Sequence, residues 1–142
     1  MNNFNINNLP ADMINTFEMS EDAWGIKDKN SNFAYVNTTF KNLQRLSNEF
    51  DYEGLADKEI PWEGAKFFQE FITHDKTVMS RNKTITSLET HKWYNELNLS
   101  SYLFDKFPFY DEYGECQGII FYGRQAHSYC LNRLFRGKLP GS

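Results

Sequence analysis

The chain has 142 residues, of which 40% are hydrophobic and 24% charged, with a formal net charge of -4. That composition is globular and fits one domain able to build a core without disulfide or metal staples. No run approaches the ~18 apolar residues of a membrane span. The start, "MNNFNINNLPADM", lacks the basic and apolar regions of a signal peptide. The reading is a cytoplasmic chain with reduced thiols at Cys116 and Cys130, which show no C-x-x-C spacing.

Charge is spread unevenly. Residues 1–115 carry 11 Lys and Arg against 19 Asp and Glu, and the remaining basic residues are Arg124, Arg133, Arg136 and Lys138. An acidic body disfavours direct nucleic-acid contact, which phosphate neutralisation drives. Four basic residues near the end read as a solvated linker, because a nucleic-acid footprint is denser. Aromatics reach 17%, with 13 Phe, 8 Tyr and 3 Trp. Side chains of that size suit a broad sheet face or the walls of a pocket.

Residues 1–19 read as a polar, Asn-rich arm followed by a short helix. Leu9, Met13 and Phe17 recur every four positions and give it one apolar stripe, with Pro10 in its first turn. Such a helix needs a surface to dock on. "AWGIKDKNSNFAYVN" predicts a hairpin with strands near Trp24–Lys27 and Phe33–Val36 around the turn formers Asp28, Asn30, Ser31 and Asn32. Asn37 or Thr38 then caps a helix whose buried stripe is Phe40, Leu43 and Leu46. Residues 48–59 are acidic and loop-like, with room for one helical turn. A helical stretch begins at Pro61, carries Phe67, Phe68, Phe71 and Ile72 on one side, and is expected to break near Thr73–Asp75. "TITSLETHKW" alternates and is rich in β-branched residues, which predicts a strand. "YNELN" is a turn or loop, and two long strands follow around Asp111-Glu112-Tyr113-Gly114, whose glycine suits a positive φ. Ala126–Leu134 reads as a short helix leading into a linker.

Strand, strand, helices and three strands make an α+β fold with an antiparallel sheet and helices gathered on one face. On the last strand Ile119 and Phe121 point one way and Ile120 and Tyr122 the other. Both faces are apolar, so both need cover. The central helices supply one, and the N-terminal helix or a second subunit the other.

Two stretches carry a family resemblance. "WGIKDKNSNFAYVNTTF", with Asp28 after the first strand and Asn37 opening the next helix, resembles the first hairpin of a PAS domain. "KFPFYDEYGECQGIIFYGR", with Lys106, Pro108, Asp111, Gly114 and Gly118 in order, resembles the closing PAS hairpin. The resemblance covers about Met19 to Gln125, with residues 20–125 as the domain. It implies a five-stranded antiparallel sheet cupping a small-molecule pocket, and a sensing role in which the pocket's contents bias a homodimer or a linker. The tail "LNRLFRGKLPGS" is similar to the connection before a LuxR-type helix-turn-helix, so residues 126–142 would lead to an effector domain through which DNA is contacted.

The flavin-photochemical PAS type needs a cysteine where this chain has "GLADKEIPWEG", so the thiol nucleophile is missing. A haem type needs a helical histidine, for which His74 is the candidate, beside Asp75 at the expected break. "DKNSNF" imitates a calcium loop at Asp28, Asn30 and Asn32, then fails at Phe33 and Thr39. No G-x-S-x-G, phosphate loop or paired acid–base set argues for an enzyme. The cofactor is unknown. The pocket candidates are Trp24, Tyr35, Phe40, Phe67, Phe71, Trp93, Phe104, Phe107 and Phe121, with Tyr35 and His91 as the polar members. The expected partner is a small apolar or aromatic ligand. The rival readings are a ligand-free PAS dimerisation domain and a small-molecule enzyme on a similar cup.

Overall fold

The computed structural model describes residues 9–93 and 97–126. The expected N-terminal arm, the loop at "YNELN" in its 94–96 part, and the C-terminal helix and linker beyond 126 lie outside them. In chain order the elements are α1 (Ala11–Met19), β1 (Ala23–Asp28), β2 (Phe33–Val36), α2 (Thr38–Leu43), short 3-10 turns at Asp57–Glu59 and Glu63–Phe67, α3 (Phe68–Arg81), β3 (Ile85–His91), β4 (Ser100–Tyr110) and β5 (Cys116–Gln125). The five strands form one sheet in the order β2-β1-β5-β4-β3. Every neighbouring pair is antiparallel, so the fold is the α+β arrangement expected.

The chain's first and last hairpins meet at the sheet centre. β1 pairs with β5 through Trp24↔Tyr122, Gly25↔Phe121, Ile26↔Ile120 and Lys27↔Ile119. This register gives the sheet two apolar faces. Phe33, Trp93, Tyr102, Phe104 and Phe121 look toward α2 and α3 and build the main core with Phe40, Leu43 and Ile60. Ile26 and Ile120 look the other way and meet Leu9 and Phe17 of the N-terminal stripe. Cβ atoms on Gly25 and Gly123 would fall about 2.0 Å and 2.4 Å from the Phe121 and Phe104 rings, so the small residues let those rings lie against neighbouring strands.

The two hairpin turns are built alike. Asp28 Oδ1 accepts from the amides of Asn30 and Asn32, and Asp111 Oδ1 accepts from those of Tyr113 and Glu115. The third residue after each aspartate takes a left-handed conformation, Ser31 at φ 63° and Gly114 at φ 82°. Asn37 caps α2 as expected, accepting from the Phe40 amide. Fully buried, it also accepts from the Trp24 amide and donates to the carbonyls of Phe17 and Asp22, tying α1, β1 and α2 at one point.

Two expectations are corrected. α3 runs without a break through Thr73–Asp75 and ends at Asn82, which closes it in a left-handed conformation. No new segment starts at Asp75, whose carboxylate is spent on two lysines of the sheet. Arg124 is not part of a solvated tail. It lies on β5 and donates to Asp105 Oδ2 at 2.8 Å on the outer face.

Candidate ligand-binding cavity

Strand parity decides which side chains can reach the gap between sheet and helices. On β1 the inward residue among the larger side chains is Lys27, and on β4 it is Lys106 next to Phe104. Both lysines are nearly fully buried. A buried ammonium needs an anion beside it, and the helical layer supplies two. Lys27 Nζ donates to Asp57 Oδ2 at 2.5 Å and to Asp75 Oδ2 at 2.9 Å. Lys106 Nζ donates to Asp75 Oδ1 at 2.8 Å and to the Phe71 carbonyl at 3.5 Å. The two carboxylates differ in their company. Burial pushes Asp75 up, but two adjacent ammoniums outweigh it and hold it below the ordinary carboxylate value. Burial dominates at Asp57, which has only Lys27 in direct contact and feels the charge of Asp75, so it sits above that value. Burial works against the charge of Lys27, yet Asp75 and Asp57 together raise it above an ordinary lysine.

Above this ionic floor the walls are aromatic. Phe33, Phe40, Phe71, Trp93, Phe104 and Phe121 line a cavity with Lys27, Lys106 and Asp57, and Trp62, Gln44 and Glu89 complete it. Rings meet edge to face or tilted, as Phe40–Phe121 at 4.9 Å and Phe40–Phe104 at 6.3 Å, the arrangement that ring quadrupoles favour. Trp62 stacks on Trp93 at 4.7 Å. The volume of this cavity is about 30 Å³, room for about two waters. Beside it lies a second cleft of about 360 Å³, lined by Gln44, Arg45, Pro61, Trp62, Glu63 and Lys92. Gln44 and Trp62 belong to both and form the partition. Tyr52, buried nearby, donates its hydroxyl to Gln44 Oε1 at 2.5 Å.

Of the residues expected to line a pocket, Phe40, Phe71, Trp93, Phe104 and Phe121 come together around this cavity. Phe67 and His91 stand just behind its wall. The His91 ring meets Trp62, Phe67, Phe71 and Trp93 at 5.1–6.3 Å, and its Nε2 lies 3.8 Å from Glu89 Oε1. Trp24, Tyr35 and Phe107 are corrected: they lie on the opposite face, packed against α1 with Phe17, Ile26 and Ile120. Phe17 stacks on Trp24 at 4.6 Å, and the Tyr35 hydroxyl donates to Glu18 Oε1 at 2.6 Å. Trp24 and Tyr122 are register partners, so a sheet that turns Phe121 inward turns both of them outward.

The sequence reading missed Lys27, Phe33, Gln44, Asp57, Trp62, Glu89 and Lys106. For the lysines a signal existed. Lys106 shares the parity of Tyr102 and Phe104, and Lys27 that of Ala23 and Gly25, so both sit on apolar inward rows where a charge asks for a partner. Among the described residues no group of His, Cys, Asp and Glu could hold a metal ion, and no helix is long and apolar enough to cross a membrane.

Solved structures share this arrangement. VqmA bound to DPO is 28% identical, with a TM-score of 0.78 over 88% of this chain and 61% of that one. The Vibrio cholerae VqmA dimer, described as a LuxR-type receptor, is 28% identical with a TM-score of 0.78 over 89% and 57%. A phage VqmA–DPO complex is 30% identical with a TM-score of 0.75 over 88% and 56%. The chain therefore spans about three-fifths of the VqmA chains it matches. No curated protein is matched by this sequence. The sequence model described as the PAS fold matches residues 17–127, from the last three residues of α1 to just past β5. With the first and closing hairpins, the inward cavity and that match agreeing, the chain belongs to the PAS-fold family.

Proposed function

We propose that this chain is the small-molecule-sensing module of a LuxR-type transcriptional regulator, acting as a homodimer, with DNA contacted by a separate effector domain and no catalysis of its own. The observation that carries the reading is a pair of buried ammonium groups set into an aromatic-walled cavity. Aromatic walls around a few placed polar groups are what a pocket for a small planar molecule requires. The likeness to DPO-bound VqmA at 28–30% identity supports the same reading. A ligand would act by favouring one of two arrangements of the module.

A second reading, a ligand-free dimerisation domain, is favoured by one observation, the small cavity volume of about 30 Å³. A ligand of ~10 heavy atoms fits only if rings such as Trp62 swing aside, which the sensing reading requires and the other does not.

DPO is the natural first probe. Thermal melting of the purified chain against increasing DPO should show a concentration-dependent rise, equivalent to about 2.7 kcal/mol at a hundredfold excess over Kd. Lys106→Met should reduce the response. No shift at any soluble concentration, together with native mass spectra of protein from its source organism that are repeatedly empty, would favour the ligand-free domain.

A further inference from the structure

Gln44 is the polar group on the cavity wall that stands apart from the ionic floor. It is buried, at 5% exposure, just past the end of α2, and faces both the inner cavity and the outer cleft. Its amide has one acceptor and two donors. The acceptor is taken, since the Tyr52 hydroxyl donates to Gln44 Oε1 at 2.5 Å. Tyr52 is itself 3% exposed, and burial pushes its phenol up, so it keeps its proton and donates it to that oxygen. That fixes which way round the amide sits. The Nε2 group is left over, and it donates to no described protein acceptor.

We propose that Gln44, oriented by Tyr52, is a specificity-determining donor of this cavity. It selects a small, flat aromatic ligand that presents a hydrogen-bond acceptor to the partition beside Trp62. The inference rests on the sensing reading and adds to it a requirement on the ligand's chemistry. Tyr52 is a positioning residue: it touches the amide and sets which atom the amide shows. An apolar ring would bury as well against Phe40 and Trp93 but would cut the amide protons off from water without giving them an acceptor, and a donor left unpaired in that way is penalised.

The test uses two rings of equal shape that differ by one acceptor, toluene and 4-methylpyridine, at a pH where the latter is neutral. Their affinities for the wild-type chain are measured by ligand-observed NMR. The expected result is a preference for 4-methylpyridine of about fivefold or more, the worth of one hydrogen bond. Gln44→Met and Gln44→Glu should bring that ratio to one or below while toluene still binds. Tyr52→Phe should lower it part of the way, because a freed amide can turn its oxygen inward. Toluene binding in each variant reports an intact cavity. A wild-type ratio near one, or a ratio that survives both Gln44 substitutions, overturns the assignment of Gln44 and leaves the sensing reading standing. Failure of both rings to bind the wild type at millimolar concentration overturns the sensing reading itself, and the Gln44 role with it.

Discussion

Ser31 and Gly114 occupy the same place in two turns of the same design, three residues after an aspartate whose Oδ1 collects two backbone amides. Only one of them is the residue that this backbone favours. A left-handed conformation strains a residue with a Cβ by about 1 kcal/mol. Gly114→Ala should therefore lower stability by roughly 1 kcal/mol, since nothing lies within 4 Å of the added methyl to compensate. Ser31→Gly should raise it by a similar amount, up to about 1 kcal/mol. It also removes a buried hydroxyl that has no hydrogen-bond partner. Urea denaturation of both variants checks the pair, and matching signs would refute the shared design. Both turns were legible in the sequence, but for unequal reasons. Glycine advertises a positive φ, whereas serine does not, so the twin geometry emerged only from the backbone.

At the level of elements, α1 turns an otherwise bare sheet face into a second small core. Phe17 lies flat on Trp24, and Glu18 accepts from the hydroxyls of Tyr35 and Thr38. Deleting residues 1–19 should uncover Trp24, Tyr35, Phe107 and Ile120 together. We expect stronger binding of an apolar dye and a larger mass by light scattering; if both stay unchanged, α1 is not the cover. The elements themselves were readable from periodicity, including the stripe Leu9, Met13 and Phe17. The facing of the hairpins was not. Alternation says that Trp24 and Lys27 lie on opposite sides, but the sequence does not say which side the helices take. The register that would decide it joins residues about a hundred positions apart, as in Trp24↔Tyr122. For the same reason the role of Asp75 is not legible where the helix is expected to break. Its partners Lys27 and Lys106 lie 48 and 31 residues earlier and later.

At the scale of the whole molecule, those three residues and Asp57 form the one charged cluster that joins the sheet to the helical layer among the described residues. Removing one member of a buried ion network leaves the others uncompensated, so Asp75→Asn should lower stability by about 3 kcal/mol or more. The pH dependence follows from the directions of shift. Asp75 is held below its ordinary value in the fold, so its contribution is present above the usual carboxylate range and is lost as pH falls through that range. Lys27 is held above its ordinary value, so its contribution is present below the usual lysine range and is lost as pH rises past it. Asp57, shifted upward, takes a proton more readily folded than unfolded, which softens the acid loss. Melting temperature against pH should be flat between the two ranges, and in Asp75→Asn the acid fall should shrink. A wild-type curve with no acid fall would contradict this account. The geometry has a mechanical side as well. β1 and β4 are not neighbours, because β5 lies between them. One carboxylate on α3 nevertheless grips a lysine from each, so the bend of the sheet and the seat of the helix become a single variable. A guest that wedges α3 outward must loosen one grip or flatten the sheet. Either way the push arrives at the opening hairpin and the closing one in the same stroke.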